Sequence, residues 1–349
     1  MTAARRLVLV PAALLLAVAV LLGLAGAAHG PTAQRAAAQD ASVDTTAPPA
    51  LSDTTAAPAP QGTPTASPSP TKPSRLTTGR GAPLRVRYAA GAARRHTYLA
   101  WLPPGTTKRR AVVLIHGGAW VRGRAESMAR YAQRLYDRGI PAFSLEYRLA
   151  DRDRSGTAWG AQGHDVRAAV AHVKRNAGRY GISAYRVSAM GSSAGGHLAT
   201  ALGSDGVGRR TVRAVAAFSP PVDMYQVWKD RTTGPAAYLL AGRVRSDLLQ
   251  CPATGGSAAC RSRWSSASQP STASRGDAPT LLFYQRDEFV STAHGAIYRR
   301  AYRRAAGHVD VRLDIQPGDQ HAVEYALDTQ EGVRERVWKR ALAFVLANS

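Results

Sequence analysis

Arg186-Val-Ser-Ala-Met190, then Gly191-Ser192-Ser193-Ala194-Gly195, then Gly196-His197-Leu198-Ala199 sets a short apolar run, a GxSxG pentapeptide and an apolar helical opening end to end. The run reads as a strand and the opening as a helix, so the five residues between must turn sharply. A tight strand-to-helix turn leaves no room for side chains at positions 191 and 195, and it presents Ser193 on strained backbone at the strand's carboxyl end. Ser192 occupies the variable position of the pentapeptide. The pentapeptide alone is a weak signal, and its place directly after a strand gives it weight.

Outward from that turn, the pattern repeats. Ala111-Val-Val-Leu-Ile115 is a continuous apolar, β-branched run of the kind buried on both faces of a parallel sheet. Similar runs occupy residues 140–147, 212–218, 279–284 and 309–315. Helical segments lie between them. In residues 164–181, Val166, Ala169, Val170, Val173 and Ala177 form one apolar stripe opposite Arg167, Lys174 and Arg175, and Val333, Val337, Ala341, Phe344 and Val345 do the same near the end. Alternating strands and helices specify an α/β fold, a mostly parallel, doubly wound sheet with helices on both faces and ligands expected at the carboxyl ends of the strands. Residues 223–277 break the alternation. They are polar and rich in Gly and Ser, and read as a cap-like insertion of the kind that builds lids and acyl pockets.

A serine hydroxyl needs a base within about 3 Å and an acid that orients the base. In chain order after Ser193, Asp287 follows the run ending Leu282-Phe283-Tyr284, and His321 follows the run ending at Ile315 through the turn Gln316-Pro317-Gly318-Asp319-Gln320. Both are placed at the carboxyl edge. Glu288, adjacent to Asp287, and Asp223, after the run ending at Phe218, are alternative acids; a helix cap is the other role open to Asp287, and its order and edge position favour catalysis. His294 and His308 are alternative bases, whereas His197 is expected to pack inside its helix. The turn His116-Gly117-Gly118-Ala119-Trp120 follows the run 111–115, so the amides of Gly117, Gly118, Ala119 and Ala194 are the candidate oxyanion hole. His116 and Asp165 read as structural groups. Trp120, Tyr147, Trp159 and Tyr225 are candidate pocket walls, each equally plausible as core.

The chain of 349 residues carries a formal net charge of +23. The first eighty residues hold only six Lys/Arg and three Asp/Glu, so the excess belongs to the remainder. The arginines are scattered, without a basic stripe interleaved with aromatics, which argues against nucleic acid as a partner. Attraction to anionic cell-wall polymers or membrane surfaces is the better expectation. Residues 1–30 read as an export signal, with Arg5 and Arg6 before an apolar run over residues 7–24 and Ala25-Gly26-Ala27-Ala28 after it. An uncleaved membrane anchor is the alternative, since roughly 20 apolar residues span a bilayer. Residues 31–80, almost entirely Ala, Pro, Thr and Ser, read as a disordered linker, which leaves 81–349 as a single catalytic domain. A secreted or cell-surface location implies an oxidising compartment, so Cys251 and Cys260 are expected to form a disulfide. No cysteine or histidine cluster suggests a metal.

Taken together, His116-Gly-Gly-Ala-Trp120, Glu146-Tyr-Arg-Leu149, Gly191-Ser-Ser-Ala-Gly-Gly-His-Leu198, Arg286-Asp287 with Val290, and Gly318 with His321 resemble the HGGxW esterase branch of the α/β-hydrolases. That branch is related to the hormone-sensitive-lipase esterases and includes feruloyl or acetyl esterases and kynurenine formamidases. The resemblance implies a serine carboxylesterase with the roles of nucleophile, acid and base on Ser193, Asp287 and His321, and no cofactor. It departs from the pattern at Ala119, which stands where the lipase-like group has a third glycine, and the insertion matches no substrate-specific pattern. The expected substrate is a small-molecule or polysaccharide ester with short acyl groups. An arylformamidase is the enzymatic alternative, and a non-catalytic wall-associated binding module is the alternative of another class.

Overall fold

The structure, a computed structural model, describes residues 75–91, 94–105, 107–204, 207–305, 307, 309–322 and 333–349. The expected export signal, most of the expected linker and His308 lie outside them. Eight strands form one sheet: β1 (Leu84–Arg87), β2 (Thr97–Trp101), β3 (Arg109–Ile115), β4 (Ala142–Leu145), β5 (Ile182–Ser192), β6 (Val215–Phe218), β7 (Thr280–Gln285) and β8 (Val311–Gln316). Their spatial order is β1-β2-β4-β3-β5-β6-β7-β8. The first two pairings, β1 with β2 and β2 with β4, are antiparallel, and the rest are parallel.

Burial explains the uninterrupted apolar runs. Val113 and Ile115 on β3, Ala189 on β5 and Ala217 on β6 join one core cluster with Val166, Val170 and Val173 of helix α2 (Ala161–Arg175) and Leu198 of helix α3 (Ala194–Leu202). Val112 and Leu114, Met190 and Ala216 join a second cluster on the other face, with Tyr131 and Leu135 of helix α1 (Ala129–Tyr136) and Val337, Trp338 and Val345 of the C-terminal helix (Val333–Ala347). Because successive side chains point to opposite faces, a strand covered on both sides must be apolar at every position. The runs predicted from sequence correspond to β3 through β8. β1, Leu-Arg-Val-Arg, lacks such a signature and is mostly exposed and charged, as an unpaired sheet edge tolerates, whereas β2, Thr-Tyr-Leu-Ala-Trp, is buried at every position and was not among the runs read from the sequence.

The insertion lies between β6 and β7 and is largely helical. It contains α4 (Met224–Asp230), α5 (Pro235–Arg243) and α6 (Ala258–Ser266). The side chain of Asp223 caps α4 by accepting from the amides of Tyr225 (2.9 Å) and Gln226 (3.2 Å), and that of Ser257 caps α6. Cys251 and Cys260 are joined by a disulfide. The insertion is fastened to the body at the carboxyl edge. Trp159 donates its amide to Leu248 O (2.7 Å) and its indole N–H to Ser266 Oγ (3.1 Å), and His197 Nε2 bonds Ala267 O (2.8 Å).

Three imidazoles are wholly buried behind this edge. Burial pushes His116 and His197 down to about 4 and His294 to about 3, each from an ordinary value of 6.5. The folded state therefore refuses protons that the unfolded chain accepts between about pH 6.5 and pH 4, so stability falls as pH drops through that window. Each histidine contributes on the order of 1–2 kcal/mol of this loss between pH 7 and pH 5. Urea unfolding midpoints should therefore decline steadily from pH 7 to pH 5, with a shallower decline in His197→Gln. A midpoint independent of pH over that interval would contradict the buried, neutral assignment.

Candidate active site

Ser193 sits between β5 and α3 with φ 53° and ψ −122°, a left-handed backbone that a side-chain-bearing residue rarely adopts. Its neighbours allow it. A Cβ at Gly191 would lie 2.1 Å from Gly195 O, and one at Gly195 would lie 2.2 Å from Ile115 O. The Ser193 amide donates to Phe218 O at the end of β6 (2.8 Å), and its carbonyl accepts from His197 N (2.9 Å). Only the hydroxyl end of this turn is left partly open: Ser192, Ala194 and Gly195 are buried, and Ser193 is half-buried.

The hydroxyl meets an imidazole there. His321 Nε2 lies 2.9 Å from Ser193 Oγ, and its Nδ1 lies 2.7 Å from Glu288 Oε2. Glu288, rather than the expected Asp287, is thus the acid that the histidine engages. Asp287 is exposed, and what it contributes is its backbone amide, which donates to Gly318 O (2.9 Å). The adjacent Arg286 amide donates to Gln316 O (2.9 Å). These two bonds tie the residue 316–320 turn to the end of β7 and so set where His321 stands. At Gly318 (φ +116°) an added Cβ would lie 2.6 Å from Gln285 Oε1.

Glu288 is buried, and burial raises its carboxyl pKa, opposed by the bond and charge of His321, the Ser219 hydroxyl and the Gln285 amide. The Ser219 hydroxyl donates to Glu288 Oε1 (2.8 Å) and accepts from the Ala322 amide (2.9 Å), so one side chain holds both the acid and the residue after the histidine. Sequence reading did not find Ser219. Its one signal is its place right after β6, where the backbone turns at φ 46°.

The competing groups have other occupations. Asp223 caps α4, and Asp165 accepts from Arg148 N (2.8 Å) and from its guanidinium (2.8 and 2.9 Å). His294 Nδ1 accepts from Asp223 N (3.3 Å). His197 accepts the Trp120 indole N–H on Nδ1 (3.2 Å) and bonds Ala267 O through Nε2, which fixes it as a neutral strut.

The glycine turn after β3 packs on the nucleophile. A Cβ on Gly117 would be 2.9 Å from Ser192 O and 3.3 Å from Ser193 Cβ, and Gly118 (φ +115°) has no room for one against Arg122 O. Ala119 and Trp120 continue in the left-handed region, at φ 50° and 63°. Trp120 and Tyr147, expected as pocket walls, are wholly buried and brace this turn from behind. The Tyr147 hydroxyl donates to His116 O (3.0 Å) and its ring stacks on the His116 ring at 4.4 Å. Trp159 packs on His197, and Tyr225 packs on Trp264 within the insertion while remaining exposed.

A family model described as BD-FAE matches residues 100–296. The chain belongs to the BD-FAE family. The BD-FAE match spans the glycine turn, Ser193 and Glu288, and ends before His321. Esterase LipC of Mycobacterium tuberculosis is 33% identical over 94 residues, a stretch covering 26% of this chain and only 22% of that protein. Among solved structures, native esterase 2 of the planctomycete Thermogutta terrifontis superposes with a TM-score of 0.58 at 18% identity, covering 78% of this chain and 95% of that one. A truncated carbohydrate esterase from gut microbiota gives 0.58 at 21%, covering 76% and 94%. At such identity these two speak for the fold, and this BD-FAE chain has the α/β-hydrolase fold.

The one-residue correction is directly testable. Glu288→Gln should lower ester turnover by roughly 10³- to 10⁴-fold, whereas Asp287→Asn should change it by no more than about twofold. Steady-state kinetics on a chromogenic ester decide it, and the reverse ranking would restore Asp287.

Proposed function

We propose that the protein is a serine carboxylesterase acting through an acyl-enzyme. The observation that carries this reading is the unbroken relay from Ser193 Oγ through His321 to Glu288 at the carboxyl edge of the sheet. Ser193 Oγ attacks the ester carbonyl carbon while His321 Nε2 takes its proton. The carbonyl oxygen becomes an oxyanion facing the amides of Gly118, Ala119 and Ala194, with Gly117 giving the turn its close approach. The imidazolium, held in orientation by Glu288, then protonates the departing alcohol. Water attacks the acyl-serine with His321 as base, the carboxylic acid leaves, and Ser193 regains its proton. Besides that water, each step uses this chain's own groups.

The substrate proposed is a short-chain ester, with acyl groups on polysaccharides as the favoured natural form. The family match and the fold shared with a carbohydrate esterase support that class. Export to the cell surface or medium is proposed from the leader-like first thirty residues, and the Cys251–Cys260 disulfide suits an oxidising compartment. The net charge of +23 favours residence near anionic wall polymers or membrane.

Purified protein should hydrolyse p-nitrophenyl acetate and lose the longer acyl chains of a homologous series, and Ser193→Ala should lower turnover by roughly 10⁴-fold or more. Equal rates for the two proteins would remove the esterase reading. Faster release from N-formylkynurenine than from any ester in the series would replace it with an amide hydrolase.

A further inference from the structure

The turn that packs on Ser193 also forms part of the wall of an open cavity of about 620 Å³. Neither Ser193 nor His321 lines it. Its walls come from the turn after β3 (Val121, Arg122), from residues 148–157 after β4 and from Arg243 and Asp247 of the insertion, so it lies at the same carboxyl edge as the nucleophile. A second cavity of about 400 Å³ shares Arg152, Arg243 and Asp247 with the first and continues along the insertion past Trp228 and Tyr238.

The charge inventory of the first cavity is uneven. Arg95 is paired with buried Glu146 (2.8 Å), Arg148 with Asp165 (2.8 Å) and Arg152 with Asp153 (4.0 Å), and Arg243 gives one N–H to Asp247 (3.1 Å) and keeps its others; Asp151, which accepts from the Asp153 amide (3.0 Å), and Arg154 also line the wall, so six arginines face three aspartates. Arg122 differs. Its Nε is buried without a hydrogen-bond partner among the described residues. Burial and the nearby charge of Arg243 both pull its pKa below the ordinary arginine value. Two guanidinium groups that repel each other, one with an unsatisfied buried N–H, make a site that an anion would complete, and a planar carboxylate matches the guanidinium fork. Exposed Arg152 on the rim adds attraction at longer range.

The second cavity supplies different chemistry. Tyr238 is 67% exposed on α5, and Trp228 carries the Arg231 guanidinium 4.5 Å from its ring. Trp228 is half-buried with Arg231 over its ring, so Tyr238 is the exposed aromatic plane beside the groove, and such a plane suits the apolar face of a pyranose ring, which presents C–H groups to a π-surface.

We propose that the two cavities form one groove that binds the non-reacting part of an acidic saccharide, with a uronate carboxylate on Arg122 and Arg243 and a sugar face on Tyr238. The inference rests on the esterase reading for its consequence, since it makes the substrate an acyl ester of a uronate-containing glycan. It does not need turnover to be tested. The Ser193→Ala protein is titrated calorimetrically with trigalacturonate, with neutral cellotriose and with inorganic phosphate at physiological ionic strength, where a diffuse field is screened to about 8 Å. Trigalacturonate is expected to bind at least about tenfold more tightly than cellotriose. Arg122→Gln and Arg243→Gln, made separately in that background, should each erase most of that difference, and Tyr238→Ala should weaken both sugars. Arg300→Gln, on the helix Ala293–Ala305 away from the groove, should leave the preference intact.

Equal binding of acidic and neutral sugars overturns the proposal. So does a preference that survives in both groove variants, or that Arg300→Gln reduces equally. Phosphate binding as tightly as trigalacturonate overturns the saccharide assignment in favour of a general anion site. Since Arg122 belongs to the turn beside Ser193, Arg243 on the insertion guards against misreading a folding defect. Binding by a protein that proves unable to hydrolyse esters would sink the function and leave the groove standing.

Discussion

The close approach of two backbones, Gly195 against the carbonyls of Ile115 and His116, is the constraint on which the rest depends. An added Cβ would lie 2.2 and 2.4 Å from those oxygens, inside any tolerable contact. Only because α3 can enter so near β3 does the chain reverse within the pentapeptide. The reversal forces Ser193 to φ 53°, where its side chain leaves the helix axis and faces outward. The strain is held on three sides. The Ser193 amide is bound to the end of β6, its carbonyl to α3, and the Gly117 backbone, with no room for a Cβ, packs beside it. A flexible turn could present the hydroxyl too, but it would reorganise at each encounter, whereas a fixed one meets its partners already aligned.

The same economy of space explains how three distant loops converge. His321 stands within reach of the hydroxyl because the turn before it is bonded to the backbone just past β7, through Arg286 and Asp287. The acid and the base are therefore parts of one assembly: the backbone that carries Glu288 also holds the loop that carries His321. Ser219 adds a third tie from β6, bonding Glu288 with its hydroxyl and receiving the Ala322 amide. Burial alone would favour a protonated Glu288. Three donors converge on the carboxylate, from His321, Ser219 and Gln285, and they work against that penalty.

Much of this was legible from residues, because parallel strands covered on both faces have no choice but to be apolar throughout. That rule exposed β3 to β7, while β8, Val-Arg-Leu-Asp-Ile-Gln, alternates and lies partly exposed; together they give the strand ends on which a serine, an acid and a histidine could be set. It is silent on the β1 edge, where exposure mixes Leu84 and Val86 with Arg85 and Arg87. It also carries no information on which way a side chain points after a strand has ended. β7 closes at Gln285, and in the two residues that follow the backbone turns, leaving Asp287 outward and Glu288 inward. A helix-capping or catalytic aspartate and its neighbouring glutamate are interchangeable in composition and order. What separates them is the direction in which the turn sends each side chain, Glu288 onto His321 and Asp287 into solvent. Trp120 and Tyr147 were ambiguous for a related reason: large aromatics near a site serve equally as walls or as buttresses. Here the left-handed backbone at Ala119 and Trp120 turns the indole inward onto His197.

The buried imidazoles connect this geometry to the charge of the molecule. A chain with so large a positive excess gains nothing from further protonation, and burial keeps His116, His197 and His294 neutral while each holds a backbone or side-chain partner beside the site. Positive charge is instead carried by arginines, which burial does not readily neutralise and whose rigid forks can be satisfied pairwise. Glu146 and Asp165, both buried, answer Arg95 and Arg148 where the loops after β3 and β4 meet. That network stiffens the shell around the glycine turn. Arg122, on the turn itself, is left facing Arg243 with an unsatisfied N–H. On a turn that packs against the nucleophile, a buried guanidinium N–H without a partner is better explained by a group that arrives with the substrate than by an oversight of packing.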